Sequence, residues 1–332
     1  MLHGGVLFGA HESVAGGLER APLRAGEDAC DALQLFTKNS AQWREPMLAP
    51  EALAAFRAEA GRFQEASHAR RARRPVRAGV FAHASYLINL CSDDTLILQR
   101  SREALYQELC RSEALGIDCV VFHPGAHLRL GEEAGLDRVG ESLALVLERT
   151  RGMRVRPCIE NMAGQGTTVG RDLGQIGAMI DRAGPERGRL GVCIDTQHAF
   201  AAGHDFGPEP DYHAFWQSFE RQIGLERLVG FHMNDSRCVL GARVDRHERI
   251  GKGEMGLLPF WRLANDPRFR DLPGILELPP LEGPSRYDQD LRTLRSLVGA
   301  AQPAAHKPFV LTPPEPKAGR RRPQPPRGLP RF

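Results

Sequence analysis

Six short apolar runs in this chain each close on a histidine or a carboxylate. The runs VFAH, VVFH, PCIE, GVCID, VGFH and GILE end at His83, His123, Glu160, Asp195, His232 and Glu277. Runs of this length, rich in Val, Ile and Phe, read as strands buried on both faces. A polar residue closing such a strand is where a parallel barrel presents side chains to its active face. One alone is weak, because a lone buried His is more often a satisfied core residue. Six in sequential order, drawn only from His, Asp and Glu, are hard to reconcile with core packing.

Strand-like and helix-like segments alternate along the chain. Strands are predicted over 6–11, 32–37, 77–83, 118–123, 155–160, 190–195, 228–233 and 274–278. Helical patterns lie between them, clearest over 49–62, 96–115, 135–149, 173–182 and 212–223. Such alternation implies an α/β fold with a parallel sheet, and eight strands are the number that closes a (β/α)8 barrel. A barrel of this kind takes about 250 residues. One domain over 1–302 with an extension over 303–332 therefore fits the 332-residue chain.

The extension differs in composition. It holds nine Pro, and seven Lys and Arg against Glu315 alone, for a net +6. The whole chain is +3, which leaves −3 for residues 1–302. With little apolar periodicity, the tail is expected to be disordered. A second basic segment, HARRARRPVR over 68–77, places five Arg just before the third strand. It reads as a solvated loop or as a phosphate-contacting patch, at the barrel end opposite the strand-closing residues. No apolar stretch approaches the roughly 18 residues that span a bilayer, and the N-terminal residues lack a signal-peptide pattern. The seven Cys are odd in number and form no CxxC. Three of them sit inside apolar runs, so a reducing, cytoplasmic setting and no thiolate zinc site are expected.

Three further residues extend the set. In DTQH, His198 stands three positions after Asp195 on the turn that follows a strand. In VDRH, Asp245 and His247 are two apart, so an extended backbone turns them to one side. The nine potential ligands are imidazole nitrogens and carboxylate oxygens, a set that favours zinc, manganese or iron over magnesium or calcium. Nine are too many for one ion and suit two or three. Clustered divalent ions are a device for phosphoryl chemistry.

The segments GAHESVAGGL, LFTKNSAQW, HASYLINL, FHPGAH, IENMAGQG, GVCIDTQHAFAAG, FHMNDS, GARVDRHERIGKGEMG and ILEL resemble those of endonuclease IV. That family comprises zinc-dependent AP endonucleases on a xylose-isomerase-like TIM barrel, and the likeness runs over roughly residues 8–280. The resemblance implies three Zn2+ ions, with Mn2+ as the alternative in one or more sites. It implies that Glu160 bridges two ions, that His83 and His123 complete the first, and that Asp195, His232 and Glu277 complete the second. His198, Asp245 and His247 would hold the third, with Glu160, Glu277 and His198 as the catalytic group. A metal-bound hydroxide would attack the phosphodiester 5′ to an abasic site in duplex DNA, leaving a 3′-hydroxyl and a 5′-deoxyribose phosphate. Blocked 3′ ends would also be trimmed.

The resemblance also makes Asn39, Gln42 and Tyr86 the DNA-contacting residues; a groove-binding barrel needs no partner, so a monomer with no obligate protein partner is expected. Many members carry Arg immediately before that Gln, whereas this chain has Ala41. The basic tail and the Arg-rich 68–77 segment look like additions. Two other readings share the barrel: a sugar isomerase or epimerase, and a DNA-binding barrel without activity. Against the first stand the third-site residues His198, Asp245 and His247 and the LFTKNSAQW loop. Against the second stands the complete ligand set.

Overall fold

Eight parallel strands close on themselves in a computed structural model that describes residues 5–43, 46–70, 79–278 and 287–305. In chain order they are β1 (Leu7–His11), β2 (Ala32–Phe36), β3 (Val80–His83), β4 (Cys119–Phe122), β5 (Arg156–Glu160), β6 (Gly191–Asp195) and β7 (Leu228–His232). Two short strands follow, β8 (Asp235–Ser236) and β9 (His247–Glu248), and then β10 (Pro273–Leu276). β1 pairs with both β2 and β10, which seals the barrel, while β8 and β9 form a separate antiparallel ribbon. The predicted barrel is therefore the observed fold.

Nine helices are described: α1 (Arg20–Glu27), α2 (Pro50–Arg70), α3 (Thr95–Leu115), α4 (Glu132–Arg149), α5 (Leu173–Asp181), α6 (Thr196–Ala202), α7 (Glu209–Gln222), α8 (Leu258–Asn265) and α9 (Asp288–Leu297). Their ends follow local chemistry. Asp94 caps α3 by accepting from the N–H groups of Leu96 and Ile97, and Gly116 ends it in the left-handed region at φ 77°. Asp172 caps α5 through the N–H of Gln175.

Two apolar layers hold the barrel. Inside the bore, Leu7, Ala32, Phe81, Cys119, Val121, Cys158, Cys193 and Ile275 pack against one another. Side chains alternate across a strand, so the next inward residue lies two positions on. That step leads from Phe81 to His83, from Val121 to His123, from Cys158 to Glu160, from Cys193 to Asp195 and from Ile275 to Glu277. The register that fills the bore thus aims the polar residues at its mouth. Gly9 on β1 is needed by the closure, because a Cβ there would lie 1.9 Å from the carbonyl oxygen of Ala32 on β2. Outside, the helices cover the strands through the main core. Its aromatic knot is centred on the fully buried Trp216, 4.5 Å from the ring of Phe269, 5.1 Å from Phe215 and 5.9 Å from Phe231 on β7.

Several expectations shift in detail. The predicted strands ending at 37, 123, 233 and 278 each stop one or two residues earlier, because the chain leaves the ladder where it turns toward the mouth. Of the predicted strand over 77–83, residues 77 and 78 lie outside the described residues. Helix α2 runs to Arg70, so the first three residues of the Arg-rich 68–77 segment are the last turn of a helix and not a loop. Positions 71–77 of that segment lie outside the described residues, as do positions 306–332 of the tail. All seven cysteines are unpaired. Among the described residues, no helix is long and apolar enough to cross a membrane.

Replacing Trp216 by Ala removes the centre of the aromatic knot. We expect a loss of about 3–5 kcal/mol, read as a lower midpoint in urea unfolding with native-like secondary structure at zero denaturant.

Candidate metal centre

Glu160, at the end of β5, is fully buried at the middle of the barrel mouth. Its Oε2 lies 3.2 Å from Nε2 of His83 and 3.2 Å from Nε2 of His123. Its other oxygen, Oε1, lies 3.0 Å from Nδ1 of His232 and 3.2 Å from Nδ1 of His198. One carboxylate thus faces imidazoles on both sides. Burial alone would raise the Glu160 carboxyl. The imidazoles of His232, His123 and His198 outweigh that and hold it well below the usual carboxylate range. Burial would likewise lower His232 and His198, yet the surrounding acidic groups, Cys193, Glu277 and Glu160 at His232 and Asp195, Asp245 and Glu160 at His198, hold both well above the ordinary imidazole value.

The second side of the site is built from β6, β7 and β10. Nδ1 of His232 lies 3.1 Å from Oε2 of Glu277 and 3.8 Å from Oδ2 of Asp195. Asp195 has a second task that explains the spacing in DTQH. As the N-cap of α6 it accepts the N–H of His198 on Oδ1 at 2.8 Å, which starts the helix and turns the His198 ring into the mouth. Its Oδ2 stays available and receives a 2.7 Å hydrogen bond from Asn234 Nδ2.

Asp245 and His247 arrive on the excursion between β8 and β9. Nε2 of His247 lies 3.6 Å from Oδ2 of Asp195 and 3.5 Å from Oδ1 of Asp245, and Oδ2 of Asp245 lies 3.4 Å from Nε2 of His198. The excursion is held by Gln197 Nε2, which donates to the carbonyl of Val244 at 3.0 Å, and by Gln165 Oε1, which accepts the N–H of Asp245 at 3.2 Å, while the turn after β9 is fastened by the buried carboxylate of Asp235. That group accepts the N–H groups of Ser236, Gly251, Gly253 and Met255 at 2.7–3.0 Å. All nine predicted residues therefore meet. The ligand atoms of eight of them fall into three groups, each within 4.8 Å: His83, His123 and Glu160; Glu160, Asp195, His232 and Glu277; and Asp195, His198 and His247. Asp195 joins the second and third groups, while the half-exposed Asp245 stands at the edge of the third.

The donors fit cations. Nε2 of His198 and Nε2 of His247 are buried without a hydrogen-bond partner. Their Nδ1 atoms face backbone carbonyls, of Asn161 at 2.8 Å and of Glu277 at 3.0 Å. A carbonyl only accepts, so Nδ1 carries a proton, and Nε2 is the atom that would turn its lone pair to a cation once its own proton is displaced. His83 is held in the same way by the carbonyl of Ala84 at 2.8 Å.

Four supporting residues escaped the sequence reading. Gln34, fully buried on β2, accepts from Nε2 of His232 at 2.9 Å and donates to Oε1 of Glu277 at 2.5 Å. His11 ends β1 with Nδ1 3.0 Å from Nε2 of Gln34 and 3.5 Å from Glu277 Oε1. Asn161 grips the backbone of Asp195 through both amide atoms, and Asn234 receives the N–H of Glu277. His11 carried the same signal as the six, since it closes the run VLFGAH. Gln34 lies inside a run and carried none.

The expected DNA-contacting residues line the same face. Tyr86, more than half exposed, places its ring 5.4 Å from His83 and 5.8 Å from His123. Asn39, Ala41 and Gln42 are exposed on the loop after β2. Asn39 Oδ1 accepts the N–H of Ala41 at 2.9 Å, and its carbonyl accepts that of Gln42 at 3.2 Å.

A barrel with this mouth is of a known class. Residues 24–297 match the family model of the xylose isomerase-like TIM barrel. A probable endonuclease 4 of Halorhodospira halophila is 44% identical over 299 residues, covering 89% of this chain and 95% of that protein. One from Geobacter sulfurreducens is 41% identical, covering 88% and 94%. The crystal structure of endonuclease IV from Thermus thermophilus superposes with a TM-score of 0.73 at 32% identity, covering 89% of this chain and all of that one. A D-tagatose 3-epimerase-like protein, at 16% identity and TM-score 0.66, shares the fold alone. The chain belongs to the endonuclease IV family, within the xylose isomerase-like barrels, and is an AP endonuclease.

Replacing Gln34 by Leu keeps the shape of the bore but removes both contacts that orient His232 and Glu277. We expect retention of bound metal against a chelator to weaken by about 10–100-fold, with an unchanged far-UV circular dichroism spectrum.

Proposed function

We propose that this enzyme hydrolyses the phosphodiester on the 5′ side of an abasic site in duplex DNA, using three divalent ions, with zinc the first candidate and manganese an alternative. The products are a 3′-hydroxyl and a 5′-deoxyribose phosphate, and the same centre trims blocked 3′ ends. The observation that carries the reading is the Glu160 carboxylate, shared between imidazoles on opposite sides in a mouth that also holds His198, Asp245 and His247.

In this reading His83, His123 and Glu160 hold one ion, Glu160, Asp195, His232 and Glu277 a second, and His198, His247 and Asp245 a third. When bound, the ions activate water at neutral pH and stabilise negative charge on the phosphate and the leaving oxygen. The chain does the rest. Gln34, Asn161 and Asn234 fix the ligand side chains in one orientation, so little reorganisation accompanies the reaction. Tyr86 stands at the rim beside His83 and His123, placed to meet the extruded sugar. Extrusion costs little at an abasic site, because there is no base pair to lose. Asn39 and Gln42 contact the duplex from the loop after β2. The barrel mouth is complete within one chain, and we assign a monomer acting in the cytoplasm.

Purified protein incubated with a duplex bearing one abasic site should give a single cut 5′ to the lesion, and no conversion of simple ketoses. Metal analysis of the same sample should give three ions per chain. Fewer than two ions, or turnover of ketoses without incision, would sink the reading. Replacing Glu160 by Gln should leave a folded protein and lower incision by about 10²–10³-fold. Near wild-type turnover with all ions loaded would refute the bridging role.

The tail over 303–332, net +6, is assigned to nonspecific phosphate attraction that compensates for Ala41. Truncation at Pro303 should flatten the dependence of log affinity on log salt for abasic duplex, by up to about five in slope. An unchanged slope would end the idea.

A further inference from the structure

Three charged side chains beside the barrel mouth are buried without taking part in the metal centre. Lys38, on the loop after β2, is 6% exposed, and Glu108 and Arg111 on α3 are 1% and 8% exposed. Lys38 Nζ lies 3.8 Å from Glu108 Oε1, and Thr37 Oγ1 donates to Glu108 Oε2 at 2.7 Å. The Lys38 ammonium also donates to the carbonyl of Gln42 at 3.2 Å. Arg111 donates from one guanidinium nitrogen to the carbonyl of Thr37 at 2.7 Å and from the other to the carbonyl of Pro46. A single guanidinium therefore ties the carbonyls of Thr37 and Pro46 together, and an ammonium holds that of Gln42. Ser85 Oγ donates to the carbonyl of Ser40 at 2.6 Å, which ties the same loop to the segment bearing Tyr86.

Burying three charges is costly, and an apolar contact between loop and helix would be cheaper for stability. What these groups add is geometry. Every one of their named contacts either holds a backbone carbonyl of Thr37, Gln42 or Pro46 or pairs Glu108 with Lys38 or Thr37.

We propose that Glu108, Lys38 and Arg111 are positioning residues that hold the 37–43 loop in its DNA-binding shape before DNA arrives. The inference rests on the reading of that loop as the one that meets the duplex. A preformed loop spares the enzyme the ordering cost that a flexible one meets on binding. It also supplies rigidity at a place where Ala41 offers no long side chain to grip DNA. The network acts on Asn39 and Gln42 and touches neither substrate nor metal ligands.

Three variants test this. Glu108→Gln keeps shape and removes the charge, and Arg111→Lys keeps charge and loses the fork. The pair Lys38→Met with Glu108→Leu replaces the ion pair by apolar groups of similar size, which protects the fold. In each folded variant, amide hydrogen exchange over residues 37–43 should accelerate by about tenfold or more relative to wild type. KM for abasic duplex should rise by about tenfold while kcat stays within about twofold, because ordering of the loop is charged to binding. Unchanged exchange in that segment overturns the positioning role, and so does an unchanged KM when exchange has accelerated. Failure of the underlying function would show differently, as a wild-type enzyme that does not cut abasic duplex at all.

Discussion

The mouth of this barrel depends on one buried carboxylate being shared. Glu160 sits without solvent contact among His83, His123, His198 and His232. An isolated carboxylate at that depth would be strongly disfavoured, and imidazoles buried around one cavity without it would be driven to lose their charge. Each side makes the other tolerable, and both are completed by cations. The same logic spreads outward. Asp195 belongs to two of the candidate ligand clusters and caps α6 at once, so the site and the start of α6 cannot be separated.

The bore supplies the aim. Each of the eight barrel strands delivers one inward side chain to the mouth: His11, Gln34, His83, His123, Glu160, Asp195, His232 and Glu277. Six are predicted ligands, and the remaining two stand together. Gln34 and His11 lie side by side on β1 and β2, where they bind Glu277 and His232. The ring is therefore asymmetric, with ligands on six consecutive strands and a supporting pair on the two that complete the circle. An amide is suited to that support, since it donates to a carboxylate and accepts from an imidazole with one planar group.

This arrangement also explains what could be read from the chain. Strand order and the six strand-end ligands were legible because each polar residue is adjacent in sequence to the apolar run that buries it. His198 was legible through its three-residue spacing from Asp195, which a capped helix turns into proximity. Asp245 and His247 were not legible from pattern alone, since a polar loop looks solvated until Gln165 and Gln197 hold its backbone at the mouth. Gln34 was invisible because a polar residue inside a run reads as an interruption. Only the closed barrel shows that β2 faces the site at that height. Helix α6 was missed because seven residues are too few to show a period.

The least legible feature is the joining of chain segments about 70 positions apart by Lys38, Glu108 and Arg111. Neither a Lys in a polar loop nor a Glu and an Arg three apart on a helix departs from an ordinary solvated face. Their meaning comes from burial, which the barrel decides by setting α3 against the loop after β2. Two buried charge systems therefore flank one mouth with different tasks. The Glu160 system converges on a small volume where cations neutralise it, so its natural readout is metal content. In the Glu108 system the carboxylate is paired with Lys38, and the donors of Lys38 and Arg111 go to backbone carbonyls, so its natural readout is the order of a loop. In the roles proposed for them, the groups that fit the chemistry are distinct from those that set the shape of the loop, although both lie at the same end of the barrel.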